Sequence, residues 1–256
     1  MVCRAIAAWR TSIQKPMPSM KPISSTILAA ALAFAAVHVA AAAEPGFESL
    51  FNGQNLKGWD GNPKLWSVRD GAITGVTTKE DPIKVNTFLI YTNSLPNDFE
   101  LRFNYRIVAG NSGVQYRSKI TDPKQWRVGG YQADFEAGKT YSGILYDEGG
   151  VAGGRGIMAE RGQKVTWGSD GKKQVTGGTG KTSAELQETI KHEDWNSYMV
   201  RAKGHHFIHQ INGNTTVDVT DEDEKKRLTS GVLALQIHVG PPMTVQIKDI
   251  SIKKLQ

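Results

Sequence analysis

Five short β-rich stretches carry polar side chains at every second position, the spacing that places them on one face of a strand. Gly113-Val-Gln115-Tyr-Arg117 aligns Gln115 with Arg117. Tyr131-Gln132-Ala-Asp134-Phe-Glu136 aligns Gln132, Asp134 and Glu136, and turns Tyr131, Ala133 and Phe135 the other way. Ile144-Leu-Tyr146-Asp-Glu148 aligns Tyr146 with Glu148, and Leu235-Gln236-Ile-His238 aligns Gln236 with His238. Val245-Gln246-Ile-Lys248 does the same for Gln246 and Lys248. For any one strand, such a face is equally well the solvent side of a sheet. Taken together, the amide, guanidinium, carboxylate and imidazole groups are unusual there and suit the binding of sugar hydroxyls.

The carboxylates are poorly placed for ordinary glycoside hydrolysis. Gln132-x-Asp134-x-Glu136 is similar to the E-x-D-x-E strand of laminarinase-type sandwich glycosidases, but Gln132 replaces the first acid. A retaining mechanism needs two carboxyl groups about 5 to 5.5 Å apart, one as nucleophile and one as acid. An amide can be neither.

These stretches need a sheet scaffold, and the chain is rich in strand signals. Trp66-Ser-Val-Arg-Asp70-Gly71 followed by Ala72-Ile-Thr74 predicts a hairpin over an Asp-Gly turn. His206–Ile211, Asn212-Gly213 and Thr215–Val219 predict a second, because Asn-Gly tolerates the positive φ of a type I′ turn. Further strands are predicted over 87–92, 99–108, 232–238 and 245–255. Helix is predicted only at 183–190 and as a short turn at 221–227. Many short strands at this spacing imply an all-β sandwich or jelly roll. The Gly- and Lys-rich stretch 148–180 is expected to be a long loop insertion, either mobile or a lid over a site. Its Gly154-Arg-Gly156-Ile-Met-Ala159 matches a dinucleotide fingerprint in form only, since no βαβ unit surrounds it. Trp126 and Trp167 are expected in loops, where they either pack inward or stack on sugar faces.

The first 43 residues are of another kind. Arg4, Arg10, Lys15 and Lys21 stand there without an acidic residue, and an apolar run from Ile27 ends at Ala41-Ala42-Ala43. This is the pattern of a cleaved secretory signal, and its apolar run falls short of the about 20 residues that span a bilayer. A periplasmic or secreted location is expected, with one mature domain over 44–256 and no membrane span in it. The single cysteine, Cys3, lies in the discarded piece, so thiol chemistry is excluded from the mature chain. Removing those four cations from the 31 Lys and Arg leaves 27 against 25 acidic residues, a net charge of about +2. That balance argues against a nucleic-acid partner.

In order along the chain, several motifs resemble the 3-keto-disaccharide hydrolase domain family. They are Gly46-Phe-Glu-Ser-Leu-Phe-Asn-Gly53 with Leu56-Lys-Gly-Trp59, Trp66-Ser-Val-Arg-Asp-Gly71, Asp98-Phe-Glu-Leu-Arg-Phe103 and Gly110-Asn-Ser-Gly113-Val-Gln-Tyr-Arg117. Gly130-Tyr-Gln132, Trp195-Asn196, His209-Gln-Ile-Asn212-Gly213, Gly231-Val-Leu-Ala-Leu-Gln236-Ile-His238 and Val245-Gln-Ile-Lys-Asp-Ile250 continue it. The resemblance implies a concanavalin-like β-sandwich and cleavage of glycosides already oxidised to a ketone at C3. A C3 ketone acidifies the C2 proton, so one base and one enolate-stabilising donor suffice for elimination at C1. His238 is the first candidate base because imidazole titrates nearest neutrality, with Asp134 second. Arg117, then Lys248, would stabilise the enolate, while Gln115, Gln132, Glu136, Tyr146 and Gln236 would position the sugar. No spaced ligand motif demands a cofactor, although Glu136, Glu148 or His238 leave a divalent metal open. The rival expectation is a lectin-like carbohydrate-binding module without turnover.

Overall fold

Alternation of apolar and polar side chains builds the two layers. In Phe99–Val108 the side chains of Phe99, Leu101, Phe103, Tyr105 and Ile107 are buried, while Glu100, Arg102, Asn104 and Arg106 between them are half-buried. The structure is a computed structural model that describes residues 44–256, so the basic segment and apolar run that resemble a signal lie outside the described residues.

The strands follow one another as β1 (Glu48–Ser49), β2 (Trp59–Asp60), β3 (Trp66–Arg69), β4 (Ala72–Val76), β5 (Thr87–Tyr91) and β6 (Phe99–Val108). Next come β7 (Asn111–Asp122), β8 (Arg127–Glu136), β9 (Leu145–Glu148), β10 (Ile157–Ala159), β11 (Gln163–Trp167) and β12 (Lys173–Gly178). After α1 (Ser183–Glu188) the chain closes with β13 (Asn196–Lys203), β14 (His206–Ile211), β15 (Asn214–Asp221), β16 (Val232–Ile237) and β17 (Thr244–Lys254). A ten-stranded sheet runs β12-β11-β15-β14-β13-β6-β17-β4-β3 with β1 beside β17, and a seven-stranded sheet runs β10-β9-β8-β7-β16-β5-β2. This is the expected all-β sandwich. Tyr105 stacks on Phe135 with centroids 4.1 Å apart, and Tyr131 meets Phe207 at 4.8 Å, so aromatic contacts join the sheets.

Both predicted hairpins turn where expected. Asp70 and Gly71 have φ of 50° and 73°, and Asn212 and Gly213 have 49° and 76°, the left-handed pair of a type I′ turn. The predicted helix forms over Ser183–Glu188, held by a capping box between Thr182 and Glu185. The acidic stretch 221–227 forms turns rather than helix. Among the described residues no helix is long and apolar enough to cross a membrane.

The Gly-rich stretch 148–180 departs from the loop expected of it. It supplies β10 to the seven-stranded sheet and β11 and β12 to the ten-stranded one. Asp147 organises its entry, accepting the backbone N–H of Ala152 at 2.7 Å and of Arg155 at 2.9 Å. Arg155 then reaches inward to a bidentate pair with Asp221, at 2.9 and 2.7 Å, beneath the Trp167 ring. Tyr131 adds its hydroxyl to the same carboxylate at 2.5 Å. Trp167 is therefore a buried strand residue whose Nε1 donates to the Met158 carbonyl, not a loop residue facing a ligand.

Asp221 and Arg155 are almost wholly buried, so removing one partner strands the other charge. Asp221→Ala should cost about 3 to 5 kcal/mol in urea unfolding, on the scale of broken buried pairs. A loss below about 1 kcal/mol would show that the pair does not anchor the Gly-rich segment.

Candidate functional site

Strand β8 is buried along nearly its whole length, unlike the alternating β6. Its inward residues Tyr131, Ala133 and Phe135 enter the core, and its outward residues are the polar Gln132 and Asp134. Register brings neighbours to the same outer face. Gln115 of β7 stands opposite Gln132, and Tyr146 of β9 stands opposite it on the other side. Gln236 of β16 joins them across β7.

The amides form a directed relay. The Ser118 hydroxyl donates to Gln115 Oε1 at 2.6 Å, and Gln115 Nε2 donates to Gln132 Oε1. Gln132 Nε2 in turn donates to Asp134 Oδ1 at 2.5 Å and to Gln236 Oε1 at 3.3 Å. Gln236 Nε2, at the end, is buried and has no partner. Gly113 leaves room for this, because a Cβ there would lie 2.6 Å from Gln132 Cγ.

Burial drives the Asp134 carboxyl well above the ordinary carboxylate range. Hydrogen bonds from Gln132 and Asn111 oppose that rise, and the nearby charges of Glu148 and Glu136 add to it. A buried carboxyl in this state keeps its proton and acts as a donor. Tyr146 is also raised, by partial burial first and then by Glu148 and Asp134.

His238 lies directly beyond β16, half-buried, two residues after Gln236. Its Nδ1 is 2.6 Å from the Val239 carbonyl oxygen. A carbonyl only accepts, so Nδ1 carries a proton, and in the uncharged form of the ring Nε2 is the bare acceptor. Asn86 ties this corner to β9, donating from Nδ2 to Glu148 Oε1 at 2.9 Å and accepting the Val239 N–H at 2.8 Å.

The structure thus brings together Gln115, Gln132, Asp134, Tyr146 and Gln236, with His238 at their edge. Three expected residues lie elsewhere. Arg117 sits at a bulge, with φ 49° and a register slip between Tyr116 and Lys119, which takes it off the face of Gln115. Its guanidinium is spent on the carbonyls of Asn97 and Gly204 and on Asp98, over the Phe207 ring. Lys248 belongs to the other sheet, where its Nζ lies 4.3 Å from the Trp195 ring. Glu136 curls back to close the β8–β9 connection, its Oε1 accepting the N–H groups of Thr140 and Tyr141 at 2.5 and 2.6 Å.

The strand pattern does not single out Asn86 or Asn111, and it offers Glu148 only as the neighbour of Tyr146 and as one candidate metal ligand. Trp126 lies in the β7–β8 hairpin, half-buried against Phe88, Ile90, Val128 and Ala234, with Nε1 on Asp60. Among the described residues no group of three or more His, Cys, Asp or Glu side chains gathers to hold a metal ion.

Two packed sheets, antiparallel except where β11 runs parallel to β15, define a β-sandwich with a polar floor on the outer face of the seven-stranded sheet. The chain belongs to the 3-keto-alpha-glucoside-1,2-lyase-like domain family, whose model matches residues 46–253. That membership places it among carbohydrate-active proteins. A Parabacteroides distasonis protein assigned by name only to the glycosyl hydrolases is similar at 20% identity and a TM-score of 0.52. The match covers 82% of this chain and 99% of that one. A Bacillus subtilis protein of unknown function with a galectin-like fold is similar at 10% identity, covering 78% and 90%, with a TM-score of 0.52. Both likenesses are of fold. Among curated proteins, none matches the chain.

The raised Asp134 carboxyl has a consequence for stability. Between the ordinary value near 4 and its elevated folded value, the native state holds a proton that the unfolded chain has lost. Stability therefore falls as pH rises through that window, by at most about 1.4 kcal/mol per pH unit. Asp134→Asn should flatten this slope in urea titrations. An unchanged slope would mean that the carboxyl ionises freely.

Proposed function

We propose that the protein cleaves glycosides carrying a ketone at C3, by removing the C2 proton and expelling the C1 substituent. The observation that carries this reading is the unpartnered Gln236 Nε2 on the same relay as a carboxyl that burial holds protonated. Two neutral donors held by the one Gln132 amide on a desolvated floor suit an oxygen that gains negative charge, and burial strengthens them.

His238 Nε2 takes the C2 proton as that C–H bond breaks, and its electrons form C2=C3 with the charge on the C3 oxygen. Gln236 and Asp134 donate to that oxygen, the roles once expected of Arg117 and Lys248. Collapse of the enolate re-forms the ketone, makes C1=C2 and breaks C1–O, and the imidazolium returns its proton to the departing oxygen. Water adding its oxygen to C1 and a proton to C2 completes a net hydrolysis. Tyr146, Gln115 and Gln132 hold sugar hydroxyls or keep the floor in place. The same reading puts the protein in the periplasm or outside the cell, after cleavage at Ala43; N-terminal sequencing of the exported form should begin at Glu44.

A second reading, binding without turnover, draws on the same relay, because amide rows recognise hydroxyls without chemistry. Mature protein is incubated with a 3-keto-glucoside, and aglycone release is followed with and without chelator. Release is expected from the wild type. His238→Ala should lower kcat by about 10²- to 10⁴-fold, and Gln236→Leu by about 10²- to 10³-fold, with sugar binding retained. Binding without release from the wild type would favour the second reading, and loss of release with chelator would assign a divalent ion to the reaction.

A further inference from the structure

A separate cavity opens at one end of the sandwich, between β6, the turn after β8 and the end of α1. Its volume is about 210 Å³, below the ~300 Å³ at which drug-sized sites begin, so it fits one small molecule.

Two of its lining residues carry buried polar atoms without partners, the Tyr105 hydroxyl and Gln187 Oε1. Tyr105 is 1% exposed, and its ring is fixed on Phe135. The neighbouring Ser142 hydroxyl is committed to the backbone of Glu136, accepting its N–H at 3.0 Å and facing its carbonyl at 3.3 Å. Burial raises the Tyr105 phenol, so it stays protonated and can donate. Gln187 Oε1 can only accept. Buried polar atoms left without partners are unfavourable, and a ligand with an adjacent acceptor and donor would satisfy both. Ile107 and Ile190 supply apolar wall, and the charged side chains of the lining are of both signs, Glu136, Glu188 and Glu193 with Lys139 and Lys191.

We propose that this cavity is a second binding site, for a neutral polyol or single sugar ring, whose hydroxyls accept from Tyr105 and donate to Gln187. It is independent of the reaction proposed for the polar floor. D-glucose and myo-inositol are the probes, followed by calorimetry on the mature protein. Tyr105→Phe and Gln187→Leu should each weaken binding of at least one probe by roughly threefold to tenfold, the worth of one neutral hydrogen bond. Both should leave aglycone release from a 3-keto-glucoside unchanged, and neither should lower stability without ligand. No binding of either probe, or binding that Gln236→Leu removes and Tyr105→Phe does not, would overturn the proposal.

Discussion

The carboxamide of Gln132 is the contact on which the polar floor depends. It accepts from Gln115 on β7 and donates both to Asp134 on its own strand and to Gln236 on β16. One side chain thus holds groups from three strands. An amide can do this only when both of its ends are used, since a buried donor or acceptor left unmade costs about 1 to 3 kcal/mol. The arrangement also needs the missing side chain of Gly113, whose place the Gln132 stem occupies. Apolar residues would have covered this sheet at lower cost. The sandwich instead keeps a buried polar surface with one donor unspent.

That surface depends in turn on the core behind it. Tyr131 and Phe135, the inward neighbours of Gln132 and Asp134, pack against Phe207 and Tyr105 of the opposite sheet. Tyr131 also bonds to Asp221, which holds Arg155 and with it the Gly-rich segment. His209 sits between the hydroxyls of Tyr116 and Tyr198, and burial lowers it to about 3, so it stays neutral in the core. The two buried polar clusters have different tasks. The inner one fixes how the sheets meet, and the outer one ties β7, β8 and β16 together on the other face of the seven-stranded sheet.

Strands, hairpins and the polar face of β8 were legible because they rest on local rules, period-two alternation and Asn-Gly or Asp-Gly turn chemistry. Gln132, Asp134 and Gln236 came out together for that reason. Arg117 did not, because a single bulge breaks the i, i+2 rule and nothing in Tyr116-Arg117-Ser118 announces one. Lys248 failed on topology. Gln236-x-His238 and Gln246-x-Lys248 look alike, but successive strands β16 and β17 enter opposite sheets. Asn86 lies in irregular chain before β5, where no period exists to reveal a direction. The stretch 148–180 hid its strands because Gly and Lys have low β-propensity, and tertiary contacts overrode that.

The displacement of Arg117 and Lys248 also changes the kind of chemistry the floor suits. A fixed cation beside the site would favour anions at all times, including carboxylate or phosphate groups that a neutral sugar lacks. A protonated carboxyl and an amide are neutral donors, and their hydrogen bonds to an oxygen strengthen only when that oxygen becomes charged. Catalysis rewards that difference, because only interactions stronger in the transition state than in the ground state accelerate a reaction. Burial of Asp134 therefore serves the proposed elimination better than the arginine that the strand pattern suggested. The same burial that costs the fold stability as pH rises keeps the Asp134 carboxyl protonated, as the proposed elimination requires.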